Sequence, residues 1–153
     1  MNDLIITRVY ETPLSISEAV HAVQDPKFGA LDLFVGSVRS MNLGRSVMSV
    51  HYDLFEPLTL QIFQSICQET GTQYHDPLAI YLAHFKGKLP VGGLSVIIAV
   101  GAPHRHEAFC ACRDILETLK KRAPIWKQEH YTDGCSEWVQ GHALCQHQEH
   151  TNV

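Results

Sequence analysis

Basic side chains collect around a proline and a tryptophan in the segment "KKRAPIWKQE", residues 120–129. Between Arg105 and Lys127 the chain has six basic and three acidic residues, a net charge of +3. The whole chain carries −4, so the remainder carries −7. A positive region on an acidic protein favours a small anionic ligand, and it argues against a general nucleic-acid binder, which needs an extended positive surface.

Two interpretations of this cluster remain open from the residues alone. A helix that stops at Pro124 would explain the basic residues 120–122, because cations complement the negative end of a helix. It does not explain Lys127, or Arg39 at the end of a predicted strand. His104 and Arg105 begin the same predicted helix, where positive charge is unfavourable unless an anion completes the site. The alternative interpretation is therefore an anion pocket.

Histidines and cysteines raise the question of a metal site. "HRH" at 104–106 lies near "CAC" at 110–112, and a second group lies at 145–150. Two cysteines two residues apart on a helix diverge by about 200°, which does not suit zinc. We therefore predict no metal site. Five cysteines, an odd number without a nucleophile motif, predict reduced and non-catalytic thiols.

The elements that must position these residues follow from hydrophobic patterns and breakers. Strands are predicted at 4–11, 30–39, 47–55, 78–87 and 94–102, followed by a hairpin of 125–132 and 136–140. Helices are predicted at 15–24, where Ser15 and Glu18 form a capping-box pattern, at 56–71 and at 104–122. A loop is expected at 40–46 and a turn at 87–93. This order predicts an α+β domain with a largely antiparallel sheet and helices packed on it.

One domain is expected over 1–141, followed by a flexible tail at 142–153. The first residues lack the features of a signal peptide, and the longest apolar run, 94–102, is too short to cross a bilayer. We therefore expect a cytoplasmic protein that contacts no membrane.

Five segments, in order along the chain, closely resemble one family: the large, catalytic subunit of molybdopterin synthase, the MoaE family. They are "VGSVRSMNLG" (35–44), "HYDLFEP" (51–57), "GKLPVGG" (87–93), "HRHEAF" (104–109) and "LKKRAPIWKQE" (119–129). The last is the most specific, and the resemblance runs from about residue 30 to about 140.

The resemblance implies an α/β hammerhead-type fold and a role in molybdenum-cofactor biosynthesis. It implies a homodimer within a heterotetramer, with a small ubiquitin-like subunit at each end. The C-terminal Gly-Gly thiocarboxylate of that partner delivers sulfur to cyclic pyranopterin monophosphate, and this forms the dithiolene of molybdopterin. No cofactor is implied for the subunit itself.

Carried over to this chain, the resemblance makes Lys120 and Lys127 catalytic. It places substrate contacts at Ser37, Val38, Arg39, His104, Arg105, Lys120, Lys127, Gln128 and Glu129.

The chain departs from the family pattern at four positions. Ser37 stands where lysine is usual, Gly93 where an acidic residue is common, Leu58 where methionine is common, and His142 near a usual arginine. The departures at Ser37 and His142 leave a non-catalytic anion-binding or scaffold relative as the alternative function.

Overall fold

The computed structural model of the chain describes residues 3–139. Within these residues the helices and strands are, in order, β1 (Leu4–Tyr10), α1 (Ile16–Val23), β2 (Ala30–Ser37), β3 (Met41–Asn42), β4 (Arg45–Leu54), α2 (Glu56–Gly71), β5 (Ala79–Phe85), β6 (Gly87–Pro90), β7 (Leu94–Ala102), α3 (Arg105–Arg122), β8 (Ile125–Tyr131) and β9 (Ser136–Val139). Every predicted helix and strand is present, and the α+β class is confirmed.

The first sheet forms the centre of the domain, with strand order β1-β5-β7-β2. Strands β5 and β7 are buried almost throughout, as strands are when helices cover both faces of a sheet. Helix α1 packs against β5 and β7, whereas α2 and α3 pack against each other and against β1, β2 and β7. This layering encloses a continuous apolar core.

The second sheet is built around β4. Residues 49–52 of β4 pair with β6 on one side and with β8 on the other, and β9 and β3 extend the sheet. One residue, Lys86, separates β5 of the first sheet from β6 of the second. Gly87 has φ +122 at this crossing, a conformation that side chains with a Cβ rarely adopt. The two sheets therefore meet where the chain crosses from one to the other.

Three details differ from the sequence-based expectation. The loop predicted at 40–46 contains β3, and the turn predicted at 87–93 contains β6. Both strands are short: β6 exists through a long-range pairing with β4, whereas β3 pairs with β4 in a tight hairpin that is too short to give a periodic pattern. The single sheet is in fact two sheets, and β1 pairs with β5 in parallel. The predicted tail, 142–153, lies outside the described residues.

Helix α1 begins with half of the expected capping box. Ser15 Oγ accepts a hydrogen bond from the Glu18 backbone N–H at 3.1 Å. The Glu18 carboxylate does not complete the capping box; it accepts hydrogen bonds from the Tyr10 and Tyr81 hydroxyls instead. Since Tyr81 is buried on β5, this carboxylate ties α1 to the central sheet.

Candidate active site

A cleft lies at the junction of the two sheets. It encloses about 70 Å³. Its lining comes from the end of β2 and the two residues that follow it, from β3 and β4, and from β8: Ser37, Val38, Arg39, Asn42, Val47, Val50, Tyr52, Lys127 and Glu129. Four elements that are distant in sequence therefore build one site.

The segment after β2 enters the cleft because the β2–β7 pairing is interrupted. The register shifts here: Gly36 pairs with Val96 and Ser37 with Leu94, so Ser95 of β7 has no partner in β2 and the regular pairing of the two strands is disrupted. The Val38 N–H then donates to the Gly93 carbonyl at 3.0 Å, and the Gly92 N–H donates to the Val38 carbonyl at 2.7 Å. Val38 is buried by this arrangement, and Arg39 beside it is exposed at the mouth.

Alternation along β8 places Lys127 and Glu129 on the inward face, since residues two apart in a strand share a face. Glu129 is 1% exposed. Its Oε1 lies 3.3 Å from Lys127 Nζ and accepts a hydrogen bond from Asn42 Nδ2 at 2.6 Å. Oε1 of the buried carboxylate therefore interacts with both the Lys127 ammonium and the Asn42 amide. Glu129 Oε2 is buried and makes no hydrogen bond of ordinary length to any described residue.

Arg39 joins this group through Asn42. Arg39 Nη2 donates to Asn42 Oδ1 at 3.2 Å. The contacts therefore run without interruption from Arg39 through Asn42 and Glu129 to Lys127. We call these four residues the cleft network.

Two buried phenols border the cleft network. Burial raises the pKa of Tyr52, the hydrogen bond with Ser95 opposes this, and the Glu129 charge adds to it. Burial and then the Glu129 charge raise the pKa of Tyr131 to about 12. Both side chains therefore stay neutral near pH 7. The Arg45 guanidinium lies 3.5 Å from the Tyr131 ring centroid, so a cation covers one face of this phenol ring.

The two predicted catalytic lysines differ in their position relative to the cleft. Lys127 lines it. Lys120 is partly buried in the last turn of α3 and, among the described residues, is not part of the lining. Residues 123–124 connect α3 directly to β8, so Lys120 precedes the first residue of the strand that carries Lys127 by five positions. Arg122, by contrast, pairs with Glu69 of α2.

His104 and Arg105 are not brought to the cleft of the same chain. They lie at the start of α3, and a rise of 1.5 Å per residue puts Arg105 about 22 Å from Lys120 along the helix axis. The pairing of β2 with β7 also separates the start of α3 from the cleft. Ala102, just before α3, pairs with Ala30 at one end of β2, whereas Ser37 of the cleft pairs with Leu94 at the other end. Both side chains are exposed.

Gln128, a predicted substrate contact, lies on the opposite face of β8 from Lys127 and Glu129. Its Nε2 donates to Ser136 Oγ of β9 at 3.4 Å. The alternation that directs Lys127 inward directs Gln128 outward.

Asn42 and Tyr52 are cleft residues that the sequence did not single out. Asn42 sits in a stretch with turn chemistry, and 87 residues separate it from Glu129. Tyr52 is one of several apolar residues in a strand pattern. The one usable signal was the alternation in β4, which directs Val50 and Tyr52 to the same face.

Within residues 3–139, no three histidine, cysteine or acidic side chains form a group that could hold a metal ion. Cys67 and Cys112 are buried, and burial raises the pKa of each thiol to about 12. Cys110 Sγ lies 3.8 Å from His106 Nε2 on the outer face of α3, away from the cleft. The histidine and cysteine group at 145–150 and the departure at His142 lie outside the described residues.

None of the helices in the described part of the chain is both long and apolar enough to cross a bilayer.

The fold and the cleft define an α+β domain with cationic side chains gathered at the junction of two sheets. Comparison with known proteins then identifies the family. The family model described as MoaE protein matches residues 9–122. The molybdopterin synthase catalytic subunit of Synechococcus elongatus is 47% identical over 134 residues, which cover 88% of this chain and 81% of that protein. The chain belongs to the MoaE protein family, as its sequence motifs predicted.

A solved structure agrees with this assignment, and a second one shares the fold. Molybdopterin synthase from Staphylococcus aureus superimposes with a TM-score of 0.79 at 27% identity, over 91% of this chain and 96% of that one. A Helicobacter pylori structure, a complex of subunits 1 and 2 of molybdopterin-converting factor, gives 0.68 at 23% identity over 90% and 89%. The second likeness is one of fold alone.

Proposed function

We propose that this chain is the catalytic subunit that transfers sulfur in molybdopterin synthesis. The donor is the thiocarboxylated C-terminus of a small ubiquitin-like subunit, and the acceptor is cyclic pyranopterin monophosphate. The observation that carries the proposal is the arrangement of Arg39 and Lys127 on either side of the buried Glu129 in one cleft.

The charges of the cleft suit two anionic reactants. Arg39 is exposed at the mouth, and its planar guanidinium suits a phosphate, which it can bind through two parallel hydrogen bonds. Lys127 lies deeper, where a cation stabilises the negative charge that develops on the donor carbonyl during transfer. We assign Lys120, at the end of α3, to binding the C-terminus of the donor.

Each transfer exchanges one oxygen of the acceptor for one sulfur of the donor. A carbon–sulfur bond forms to the pterin side chain and a carbon–oxygen bond of the acceptor breaks; the oxygen leaves as water or, at the phosphate-bearing carbon, stays on the opened phosphate. Water hydrolyses the acyl–sulfur bond, so the donor leaves as a carboxylate. Two such exchanges yield the dithiolene with no net gain or loss of electrons. The chemistry asked of this chain is therefore charge stabilisation and proton transfer.

The size of the cleft supports a Gly-Gly donor terminus. About 70 Å³ holds a few water-sized groups. A chain end without side chains can enter such a space, whereas a fused pterin ring system has to lie at the mouth. The Helicobacter pylori structure, which has the same fold, is a complex of subunits 1 and 2 of molybdopterin-converting factor.

We place His104 and Arg105 in the site of a second copy of the chain. A straight helix of 18 residues keeps them far from the Lys120 of their own chain. A homodimer, with one small subunit at each end, would bring these exposed cations to the cleft of the neighbouring copy. Their position at the start of α3 suits the binding of an anion.

Reconstitution tests the function directly. The purified chain is mixed with thiocarboxylated small subunit and cyclic pyranopterin monophosphate, and the dithiolene product is measured. We expect product from the unmodified chain and a loss of at least 100-fold (an order-of-magnitude figure for a positioned catalytic group) in Lys120→Ala.

Lys121→Ala is the matched control, because Lys121 is the next residue of α3 and is exposed. It should retain activity. Near-normal product from Lys120→Ala would remove Lys120 from the mechanism. Binding of the small subunit by the unmodified chain without any product would favour the scaffold alternative.

A further inference from the structure

We propose that Asn42 is a positioning residue, which holds the Arg39 guanidinium at the mouth of the cleft by linking it to the buried Glu129. This inference rests on the proposed function, because it concerns the binding of the anionic pterin substrate. It adds a residue that neither the sequence motifs nor the comparisons assign.

The contacts of Asn42 define the orientation of its amide. Arg39 can only donate hydrogen bonds and an ionised Glu129 can only accept them. Asn42 Oδ1 must therefore face Arg39, at 3.2 Å, and Asn42 Nδ2 must face Glu129, at 2.6 Å. An amide is the side-chain group of this length that can satisfy a cation and a carboxylate at the same time.

The backbone of Asn42 is held by a tight hairpin. Asn42 is the last residue of β3 and pairs with Arg45 of β4. The two residues between them, Leu43 and Gly44, have φ values of 50° and 79°. Positive φ at both central positions is the conformation of a two-residue hairpin turn whose twist matches the flanking strands. The amide is therefore presented from a fixed point.

Glu129 is the fixed end of the link. Its side chain is almost fully buried, and Lys127 holds the same Oε1 atom from the other side. Arg39 is exposed and, within the described chain, is joined to this buried carboxylate through Asn42. One bond to Asn42 uses one of five guanidinium donors, so the fork remains available for a phosphate. Without the link, a flexible arginine must lose more rotamer freedom when it binds substrate.

The test measures substrate affinity separately from turnover. Asn42→Ala should raise the KM for cyclic pyranopterin monophosphate about tenfold and change kcat less than about threefold, the range expected for a lost charge-assisted contact. The Kd of the same compound, measured by calorimetry without the small subunit, should rise in parallel. Met41→Ala, an exposed neighbour on β3, is the matched control and should leave KM and Kd unchanged.

A double-mutant cycle with Arg39 distinguishes positioning from an independent contact. If Asn42 acts through Arg39, Asn42→Ala should have little further effect on Kd in an Arg39→Ala background. Full additivity of the two changes would overturn the proposal, as would a Kd for Asn42→Ala within twofold of the unmodified chain.

Reversing the polarity of the link gives a rescue. Asn42→Asp places a second carboxylate beside Glu129 and should weaken substrate binding and lower the melting temperature. Combining it with Glu129→Gln restores an amide–carboxylate hydrogen bond with donor and acceptor exchanged, and the Kd should recover toward that of the unmodified chain. No recovery would contradict the link. Calorimetry reads binding even if the unmodified chain makes no dithiolene, so failure of the proposed function and failure of this inference remain distinguishable.

Discussion

Lys127 Nζ and Glu129 Oε1 lie 3.3 Å apart on the inward face of β8, and the two side chains are 22% and 2% exposed. The pair is asymmetric, because the carboxylate is almost sealed from solvent and the ammonium reaches the cleft. Burial of an ionised carboxylate is costly unless a cation and hydrogen bonds compensate it. Lys127 thus has a structural role in addition to the chemical role proposed for it.

Separating these two roles is a first prediction. Lys127→Met should abolish dithiolene formation and lower the free energy of unfolding by about 1–3 kcal/mol, because Glu129 loses its cation. Adding Glu129→Gln removes the uncompensated charge and should restore much of the stability but none of the activity. Urea denaturation and the product assay, run on both variants, measure the two effects. If the second substitution restores no stability, the ion pair does not compensate the burial of Glu129.

The buried His84 predicts acid sensitivity. Burial lowers its pKa to about 4 despite a hydrogen bond with the Phe85 carbonyl, so the folded protein keeps it neutral. The unfolded chain binds a proton below about pH 6.5, so stability is full above that value and falls as the pH drops toward 4. The loss should approach about 3 kcal/mol at the lower end.

Urea midpoints at several pH values between 7.5 and 4.5 measure this dependence. His84→Phe, which keeps a planar ring next to Tyr52, should flatten it. His21→Gln, at an exposed position of α1, is the control and should retain the slope. An unchanged slope in His84→Phe would assign the acid sensitivity to other groups.

The close packing around Gly101 predicts that β7 does not tolerate a side chain at this position. A Cβ at this position would lie 2.2 Å from the Val23 carbonyl oxygen and 2.9 Å from the Phe28 ring. Gly101→Ala should therefore destabilise the protein by about 2–3 kcal/mol, since a backbone atom cannot move aside cheaply. Gly44→Asn serves as control, because that site is open and asparagine tolerates positive φ. Thermal melts compare the two, and equal melting temperatures would contradict the close packing of α1 on β7.

Replacing Ser37 with lysine is predicted to increase the affinity for the pterin substrate. The residue is exposed and lines the cleft beside Arg39. Ser37→Lys adds a cation near the anion site and should lower the KM for the pterin substrate roughly two- to fivefold, the effect of one solvated charge at short range. Ser40→Lys carries the same charge at an exposed position outside the cleft lining and should have a smaller effect. Equal effects of both would indicate general attraction by net charge and no specific site.

Local signals were sufficient to predict the three helices and the longer strands. Ser15 marked the start of α1, Gly71 the end of α2 and Pro124 the stop after α3, because capping and backbone restriction act within a few residues. β3 and β6 escaped prediction because they are too short for a periodic pattern and form by pairing with β4. The charge pattern likewise separated Lys127 from the helix-end residues Lys121 and Arg122.

The distances between residues of the site could not be predicted from the sequence. Contact between Asn42 and Glu129 depends on a hairpin and a sheet that bring together residues 87 positions apart. The separation of Arg105 from Lys120 follows from the straight course of α3, whereas the family motif groups both residues as substrate contacts. The inward direction of Glu129 and the outward direction of Gln128 required the register of β8 on β4.

The crossing at Lys86 has a consequence for how the protein unfolds. β5 supplies the middle of one sheet and continues after one residue as β6 of the other, so neither sheet can separate as an independent unit. Tyr52 of the second sheet also packs edge-on against His84 of the first, with ring centroids 5.1 Å apart. We therefore expect residues 3–139 to unfold as a single cooperative unit, in which opening of the cleft and loss of the central sheet occur in the same transition.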